Sequence, residues 1–304
     1  FAIGLGSGTE ALHLAIRACG IGPGDEVITV PNTWISTAFS ASYVGARPVF
    51  VDIDPRTYQM DIMQLEGAIS TKTKAILPVH MFGHPAPMIE IMELAKQHNL
   101  WVIEDVAQAP LAKIEGQIVG TIGDVGCFSF YPSKNLGCYG DGGAIFSKDR
   151  DITKRVRIDA NYGQVEPFKH TQIGSNSRLD TLQAAILNVK LPHLLNWTRR
   201  RREIAKVYKQ LLDGERISLP YEANGVEAVY HLFVIQIDKR DDCIAFLRNR
   251  GVMAQIHYPT TVHTQECYNL LGYKQGDFPI AERLSRHGLS LPIYPEMSDA
   301  QIEH

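Results

Sequence analysis

Residues 124–143 read DVGCFSFYPSKNLGCYGDGG, and the parsing of this stretch decides the fold. Val125 to Phe130 is apolar enough for a buried strand; it runs into a polar loop broken by Pro132 and Gly137, and a second strand opens at Gly142. One lysine, Lys134, stands at the centre of the loop. Ser133 and Asn135 flank it, and no carboxylate lies within three residues to pair with it. Partial burial would lower its pKa and free a neutral amine, as a Schiff-base lysine requires. On this stretch alone an ordinary surface lysine is an equal alternative.

Upstream, strands and helices alternate. Apolar runs at Glu26 to Val30, Val49 to Ile53, Ala75 to His80 and Trp101 to Asp105 predict strands, separated by helical patterns at Trp34 to Tyr43, Asp61 to Ile69 and Met88 to Gln97. Strands apolar throughout and separated by helices indicate a mostly parallel sheet covered on both faces. Ligands in such sheets sit at the carboxyl ends of the strands. That rule singles out Ser7 to Thr9, Asn32 to Trp34, His80, Asp105 to Gln108 and Tyr131 to Lys134.

Ser7-Gly8-Thr9-Glu10 has the S-x-x-E spacing of a capping box ahead of the apolar pattern Ala11, Leu12, Ala15, Ile16, Cys19, and Gly20 ends that helix. A helix N-terminus after glycines offers free amides and a positive dipole end, which suits a phosphate. Gly4, Gly6 and Gly8 do not match a dinucleotide fingerprint, because the third glycine falls one residue early.

The chain has 304 residues, enough for a large and a small domain, with 45% hydrophobic and 21% charged residues. No run approaches a membrane span. A net charge of −3 argues against a nucleic-acid partner. Five cysteines, odd in number and without a CxxC pair, fit free thiols in a reducing cytoplasm. Cys138 lies near Lys134, but without a nearby His it reads as packing. The FAIGLGSG start lacks a Met and a basic segment, and the chain stops at Gln301-Ile302-Glu303-His304 in what reads as the first turn of a helix; truncation at both ends is expected.

From Arg178 to about Leu212 the pattern is helical, with Pro192 marking a break. Arg199 to Arg202 must point all round a helix, as a solvated or interface helix would, and do not form a nucleic-acid patch. Beyond Gly214 a strand at Ala228 to Ile237, helices at Asp241 to Arg250 and Pro279 to His287, and the loop His257-Tyr258-Pro259 predict a smaller α+β domain. The expected division is 1–195 and 196–304.

Together the strand-end residues form a kit for pyridoxal 5′-phosphate (PLP). Lys134 would form a Schiff base with its aldehyde, and Asp105 would pair with the pyridinium nitrogen and keep the ring an electron sink. The helix opening at Gly8 and Thr9, with the Ser129 hydroxyl, would hold the phosphate. Trp34 would stack on the ring, and Gln108 would reach the phenolic oxygen. Each residue has a plainer reading: Asp105 a solvated strand-end carboxylate, Trp34 a core aromatic on a helix, Ser129 a strand hydroxyl. His80 and His84 are four apart, but Gly83 and Pro85 break any helix between them, so a shared metal face is not expected.

SGTEALHLAI (7–16), GDEVITVPNTWIST (24–37), IEDVAQAP (103–110), FSFYPSKNLGCYGDGGA (128–144) and GSNSRLDTLQAAIL (174–187) resemble the DegT/DnrJ/EryC1/StrS sugar aminotransferases, over essentially the whole chain. The resemblance implies the aspartate aminotransferase fold, fold type I. It also implies Lys134 as Schiff-base lysine and general base, Asp105 as pyridinium partner and Trp34 as stacking ring, with Gly8, Thr9, Gln108 and Ser129 completing the cofactor site. Asn176 would reach the phosphate of a neighbouring subunit, making a homodimer the active unit. Glutamate would be the amino donor and a nucleotide-linked keto sugar the acceptor.

The His257-Tyr258-Pro259 loop, His263 and the stretch 271–298 most resemble enzymes that aminate C3 of dTDP-linked 3-keto-6-deoxyhexoses. Tyr131, Tyr162, His257, Tyr258 and His263 are the substrate candidates. Phe168 stands where relatives often carry Tyr, which removes a possible hydrogen bond. A 4-keto sugar aminotransferase is the alternative. A PLP-dependent dehydratase would carry histidine in place of Lys134, and a non-catalytic regulator would not need Lys134, Asp105 and Ser129 intact.

Overall fold

The computed structural model describes residues 1–212, 214 and 217–304. In chain order the strands of the main sheet are β1 (Ala2–Leu5), β2 (Glu26–Thr29), β3 (Arg47–Phe50), β4 (Thr73–Ile76), β5 (Trp101–Asp105), β6 (Val125–Ser129) and β7 (Gly143–Phe146). They lie side by side as β1-β7-β6-β5-β4-β2-β3. From β6 to β3 every pairing is parallel, while β7 runs antiparallel to both β6 and β1. The sheet is therefore mostly parallel and covered by helices, as the uninterrupted apolar strands predict.

Val27, Ile28, Ala75, Ile76, Val102, Ile103, Val125 and Cys127 are all sealed in its core. Complete burial of each such Leu, Ile or Val side chain contributes about 1.5–3 kcal/mol. Helix α1 (Gly8–Ala18) covers the centre of the sheet through Ala11, Leu12, Leu14, Ala15 and Ile16. Its start is fixed by Ser7, whose hydroxyl accepts a hydrogen bond from the Glu10 amide. The Glu10 carboxylate turns to His13 and does not close the capping box. Gly20, with φ of 77°, ends the helix in the left-handed region.

Two strands are shorter than their apolar runs. The strand expected at Val49 to Ile53 occupies Arg47–Phe50, because the Asp52 carboxylate accepts its own neighbour's amide from Ile53 and turns the chain. The one expected at Ala75 to His80 stops at Ile76, since Pro78 has no amide for the ladder. Backbone contact resumes beyond it: Asp105 donates its amide to the Pro78 carbonyl, and His80 donates to the Asp105 carbonyl. The end of β5 is thereby held to the segment that follows β4.

The remaining helices are α2 (Ser36–Tyr43), α3 (Ile62–Ala68), α4 (Met88–His98), α5 (Arg150–Asp159), α6 (Thr181–Lys190), α7 (Leu194–Leu211), α8 (Arg240–Arg248), α9 (Pro279–His287) and α10 (Asp299–Glu303). Pro192 lies in a short 3-10 turn, Leu191–His193, that joins α6 to α7. The arginines of α7 do point round it. Arg200 pairs with Asp299, buried Arg201 donates to three carbonyls, and Arg202 reaches Glu222.

A second core forms around an antiparallel pair, β8 (Phe233–Gln236) and β9 (Gly288–Leu291), packed by Ile204, Ala205 and Tyr208 of α7 and Ile302 of α10. Helix α7 runs through positions 195 and 196. Helix α9 leans the other way. Its Ala281 and Leu284 join the main core, and the amides of Ile280 and Ala281 each donate a 2.9 Å hydrogen bond to the Asp52 carboxylate. A buried carboxylate at a helix N-terminus is a favourable placement. Among the described residues no helix is long and apolar enough to cross a membrane.

Candidate active site

The ends of β4, β5 and β6 and the starts of α1 and α2 converge on one region. Asp105, at the end of β5, is buried. Its Oδ1 accepts a 3.1 Å hydrogen bond from the Ala107 amide, and its Oδ2 a 2.9 Å bond from the Thr37 hydroxyl on α2. Burial raises the Asp105 pKa; those two bonds and the charges of Lys134 and His80 pull it back without overcoming the rise. The carboxylate is under-compensated, and a protonated ring nitrogen would supply the missing positive partner.

Lys134 follows β6 in the loop, its amide donating to the Tyr131 carbonyl. Its side chain is half-buried. Burial lowers its pKa, and the Asp105 charge opposes that fall. Among the described residues its amine makes no ion pair. A lysine held this way gives up its proton more readily than one in water.

Helix α1 begins where it nearly touches β6. A Cβ at Gly8 would lie 2.6 Å from Ser129 Cβ, so only glycine permits this approach. The Thr9 hydroxyl is 2.8 Å from that of Ser36, the first residue of α2. First-turn amides have no acceptor within their own helix. Two helix N-termini with the hydroxyls of Thr9, Ser36 and Ser129 therefore make a donor-rich, electropositive cradle that suits a phosphate.

Trp34 lies two residues before the first residue of α2. The expected helix Trp34 to Tyr43 begins at Ser36, and the indole is 59% exposed, which removes the reading of a core aromatic on a helix. Its ring centroid is 5.6 Å from that of Tyr258. Gln108 is buried between two partners: Oε1 accepts a 2.6 Å bond from the Phe82 amide, and Nε2 donates to the Tyr258 hydroxyl at 3.3 Å. Burial, and after it the Asp105 charge, pushes the Tyr258 phenol up to about 12. His257 hydrogen bonds the Ser290 hydroxyl at 2.8 Å; burial and then Lys134 lower its pKa and keep the imidazole neutral. His257 and Ser133 line one cavity of about 1250 Å³.

Other candidates lie elsewhere. His263 is a correction: its imidazole is sealed against Phe278 with ring centroids 4.7 Å apart, and its Nε2 lies 3.3 Å from Glu282. Val262 and Tyr268 tie that turn into the main core, and His263 is not among the residues lining the cavity. Tyr131 is exposed at the mouth of the Lys134 loop. Tyr162 and Asn176 share a separate surface cluster, in which Arg178 donates to the Asn176 side chain at 2.8 Å and lies 6.0 Å from the Tyr162 ring. Phe168 is 95% exposed on the nearby ribbon of Gln164–Glu166 and Lys169–His170.

Cys138 is buried with its thiol pKa raised, which fits packing and not a nucleophile. His80 and His84 face different partners: His80 Nε2 hydrogen bonds buried Glu104 at 3.0 Å, whereas His84 meets the Pro85 carbonyl. No metal-binding cluster occurs among the described residues. Thr37 and Ser36 were not singled out in the sequence, although both fall within the first turn after Trp34 and carry hydroxyls there.

A cluster of this kind at the carboxyl ends of a mostly parallel sheet defines a PLP-dependent transferase of fold type I. The family model described as DegT/DnrJ/EryC1/StrS aminotransferase matches residues 1–304, and the chain belongs to that family. A UDP-N-acetyl-3-dehydro-alpha-D-glucosamine 3-aminotransferase of Acidithiobacillus ferrooxidans is 47% identical over 300 residues, 99% of this chain and 81% of that one. A protein of Geobacillus stearothermophilus named as a pleiotropic regulatory protein is 46% identical over 305 residues, 99% and 82% of the two chains. A dTDP-3-amino-3,4,6-trideoxy-alpha-D-glucose transaminase of Streptomyces venezuelae is 42% identical over 301 residues, 99% and 79%.

Among solved structures, S. venezuelae DesV with a ketimine intermediate aligns with a TM-score of 0.97 at 42% identity, over 99% of this chain and 81% of that one. A sugar aminotransferase of Streptococcus pneumoniae in its PLP form gives 0.92 at 26% identity, over 99% and 84%. The protein is an aminotransferase whose cofactor is PLP.

Proposed function

We propose that the chain transfers an amino group from glutamate to C3 of a dTDP-linked 3-keto-6-deoxyhexose, giving a 3-amino-3,6-dideoxyhexose and 2-oxoglutarate. The observation that carries the reading is Lys134, depressed in pKa by burial and facing Asp105 across the strand ends. Bound PLP supplies an electron sink for the bonds broken at the amine-bearing carbon. Lys134 anchors the cofactor and, once released, carries a proton on Nζ to and from the substrate carbon as general base and then general acid. Asp105 holds a positive charge at the ring nitrogen, and the Thr37 hydroxyl and Ala107 amide favour its charged form against the burial and aim it. Gly8, Thr9 and Ser129 hold the phosphate. Trp34 covers the ring, and Gln108 orients its phenolic side.

The reading gives His257, Tyr258 and Tyr131 the task of orienting the sugar. The wrong keto carbon, about 1 Å out of place, would cost roughly a hundredfold in rate. Tyr162 and Asn176 lie outside this cluster in their own chain, and the reading assigns both to the site of a second copy. Exposed Leu182 and Val189 on α6, with Leu191, Leu195, Ile173 and Tyr139, leave an apolar surface suited to that contact. We read residues 1–195 as the cofactor-binding part and 196–304 as the smaller part, working in the cytoplasm.

The C3 assignment draws on the two aminotransferase names above, both of which place the amine at C3. Their nucleotides differ, so a UDP sugar is the competing acceptor. The enzyme incubated with glutamate and matched 3-keto and 4-keto sugars on dTDP and UDP, with the amine located by NMR, tests the reading. Product aminated only at C4 sinks the C3 assignment. A protein that takes up no PLP, and so shows no visible band, would instead favour a regulator, as the Geobacillus relative is named.

A further inference from the structure

Directly after Lys134 the chain buries Asn135, whose side chain is used on both ends. Its Nδ2 donates to the Val229 carbonyl at 3.4 Å, and its Oδ1 lies 2.9 Å from Nδ1 of His231. An amide oxygen only accepts, so His231 must carry its proton on Nδ1. Burial, then the positive charges of Lys134 and Arg201, hold the His231 pKa well below its ordinary value, which keeps this neutral tautomer at working pH.

The segment carrying His231 is itself strapped down. Val229 donates to the Gly83 carbonyl, Leu232 to the Phe82 carbonyl, and buried Arg201 donates to the carbonyls of Tyr230 and His231. A Cβ on Gly83, at φ of 92°, would lie 2.8 Å from the His231 amide, so the two backbones touch as only glycine allows. Phe82 in turn donates its amide to Gln108. One path of hydrogen bonds and adjoining backbone therefore runs from the loop of Lys134 through Asn135, His231, the next residue Leu232 and Phe82 to Gln108.

We propose that His231 is a positioning residue for amine transfer: through its Nδ1–H bond to Asn135 it fixes the Lys134 loop against the strap that also sets Gln108. This rests on Lys134 being the cofactor lysine. Loss of the bond would let the loop move outward and the Lys134 amine meet more water, undoing the burial that depresses its pKa.

His231→Asn keeps an N–H donor at the δ position, whereas His231→Leu removes it, and Asn135→Ala removes the acceptor from the other side. Two readouts apply to each variant. In the protein without cofactor, the pH dependence of Lys134 labelling by an amine-directed reagent is followed by mass spectrometry. In the PLP-loaded protein, kcat and KM are measured separately.

For His231→Leu and Asn135→Ala the labelling midpoint should move upward, toward the ordinary lysine value, and kcat should fall about tenfold or more with little change in KM. His231→Asn should restore both. A folded His231→Leu or Asn135→Ala protein with wild-type midpoint and kcat overturns the proposal, as does a His231→Asn protein as impaired as His231→Leu. If His231→Leu does not fold, Asn135→Ala and His231→Asn decide the matter. Failure of the underlying reading looks different, because Lys134→Ala would then retain turnover.

Discussion

The Thr37 hydroxyl donates a 2.9 Å hydrogen bond to Oδ2 of Asp105 and lies 2.8 Å from the Thr33 hydroxyl, so a helix start and a strand end 68 residues apart share one buried carboxylate. Asp105→Asn keeps the shape and removes the charge. Turnover should fall by about a hundredfold or more, the range for a charged group that acts in the transition state. Thr37→Val should cost less, because the Ala107 bond remains. Steady-state kinetics on both variants check the order.

Lys134→Ala should abolish turnover and the visible absorption band acquired with PLP. It should leave the thermal midpoint of the cofactor-free protein at pH 7 no lower than wild type. The sign follows from the lowered pKa. The folded protein disfavours the lysine's charge, a penalty fully present below the depressed pKa and lost as pH rises from there to the ordinary value of 10.5. Melting curves across that interval should show the gain of Lys134→Ala over wild type shrinking. A gain that grows with pH would contradict the burial argument.

Gly8→Ala puts a methyl 2.6 Å from Ser129 Cβ and 3.1 Å from its Cα, a contact relieved only if α1 or β6 shifts. Overpacking of this kind costs about 1–3 kcal/mol. The variant should melt earlier and bind PLP more weakly, since the phosphate cradle is the part that moves. Equilibrium dialysis against PLP separates weak binding from simple instability.

Asn176 should matter only across a dimer. Lys134→Ala and Asn176→Ala proteins, each inactive alone, should regain part of the activity when mixed under conditions that exchange subunits, because a hybrid dimer holds one site with both residues. If Asn176→Ala alone keeps most of its activity, or no recovery follows verified exchange, Asn176 does not serve a neighbouring site.

The alternation of strands and helices was legible because the central strands β2, β5 and β6 are buried on both faces over most of their length and so written as apolar runs. The strand-end rule then pointed to Asp105, Gln108 and Lys134 without any knowledge of distances. The rule gave no check on His263, taken up from the resemblance, since a histidine in a loop reads the same whether it faces a cavity or, as here, Phe278 and Glu282. It also passed over His231, which sits 97 residues from Lys134 and has no local signal.

By itself the sequence determined the order of the elements, the helix start at Ser7, the stop at Gly20 and the lone lysine between two strands, because these depend on neighbours a few residues away. Only the tertiary structure decided what that lysine meets. Its lowered pKa comes from burial, which outweighs the opposing charge of Asp105, and the bond of its loop to His231 comes from a strap contributed by the other part of the chain. Desolvation and charge act through space, and no local pattern encodes which distant groups will close over a given amine.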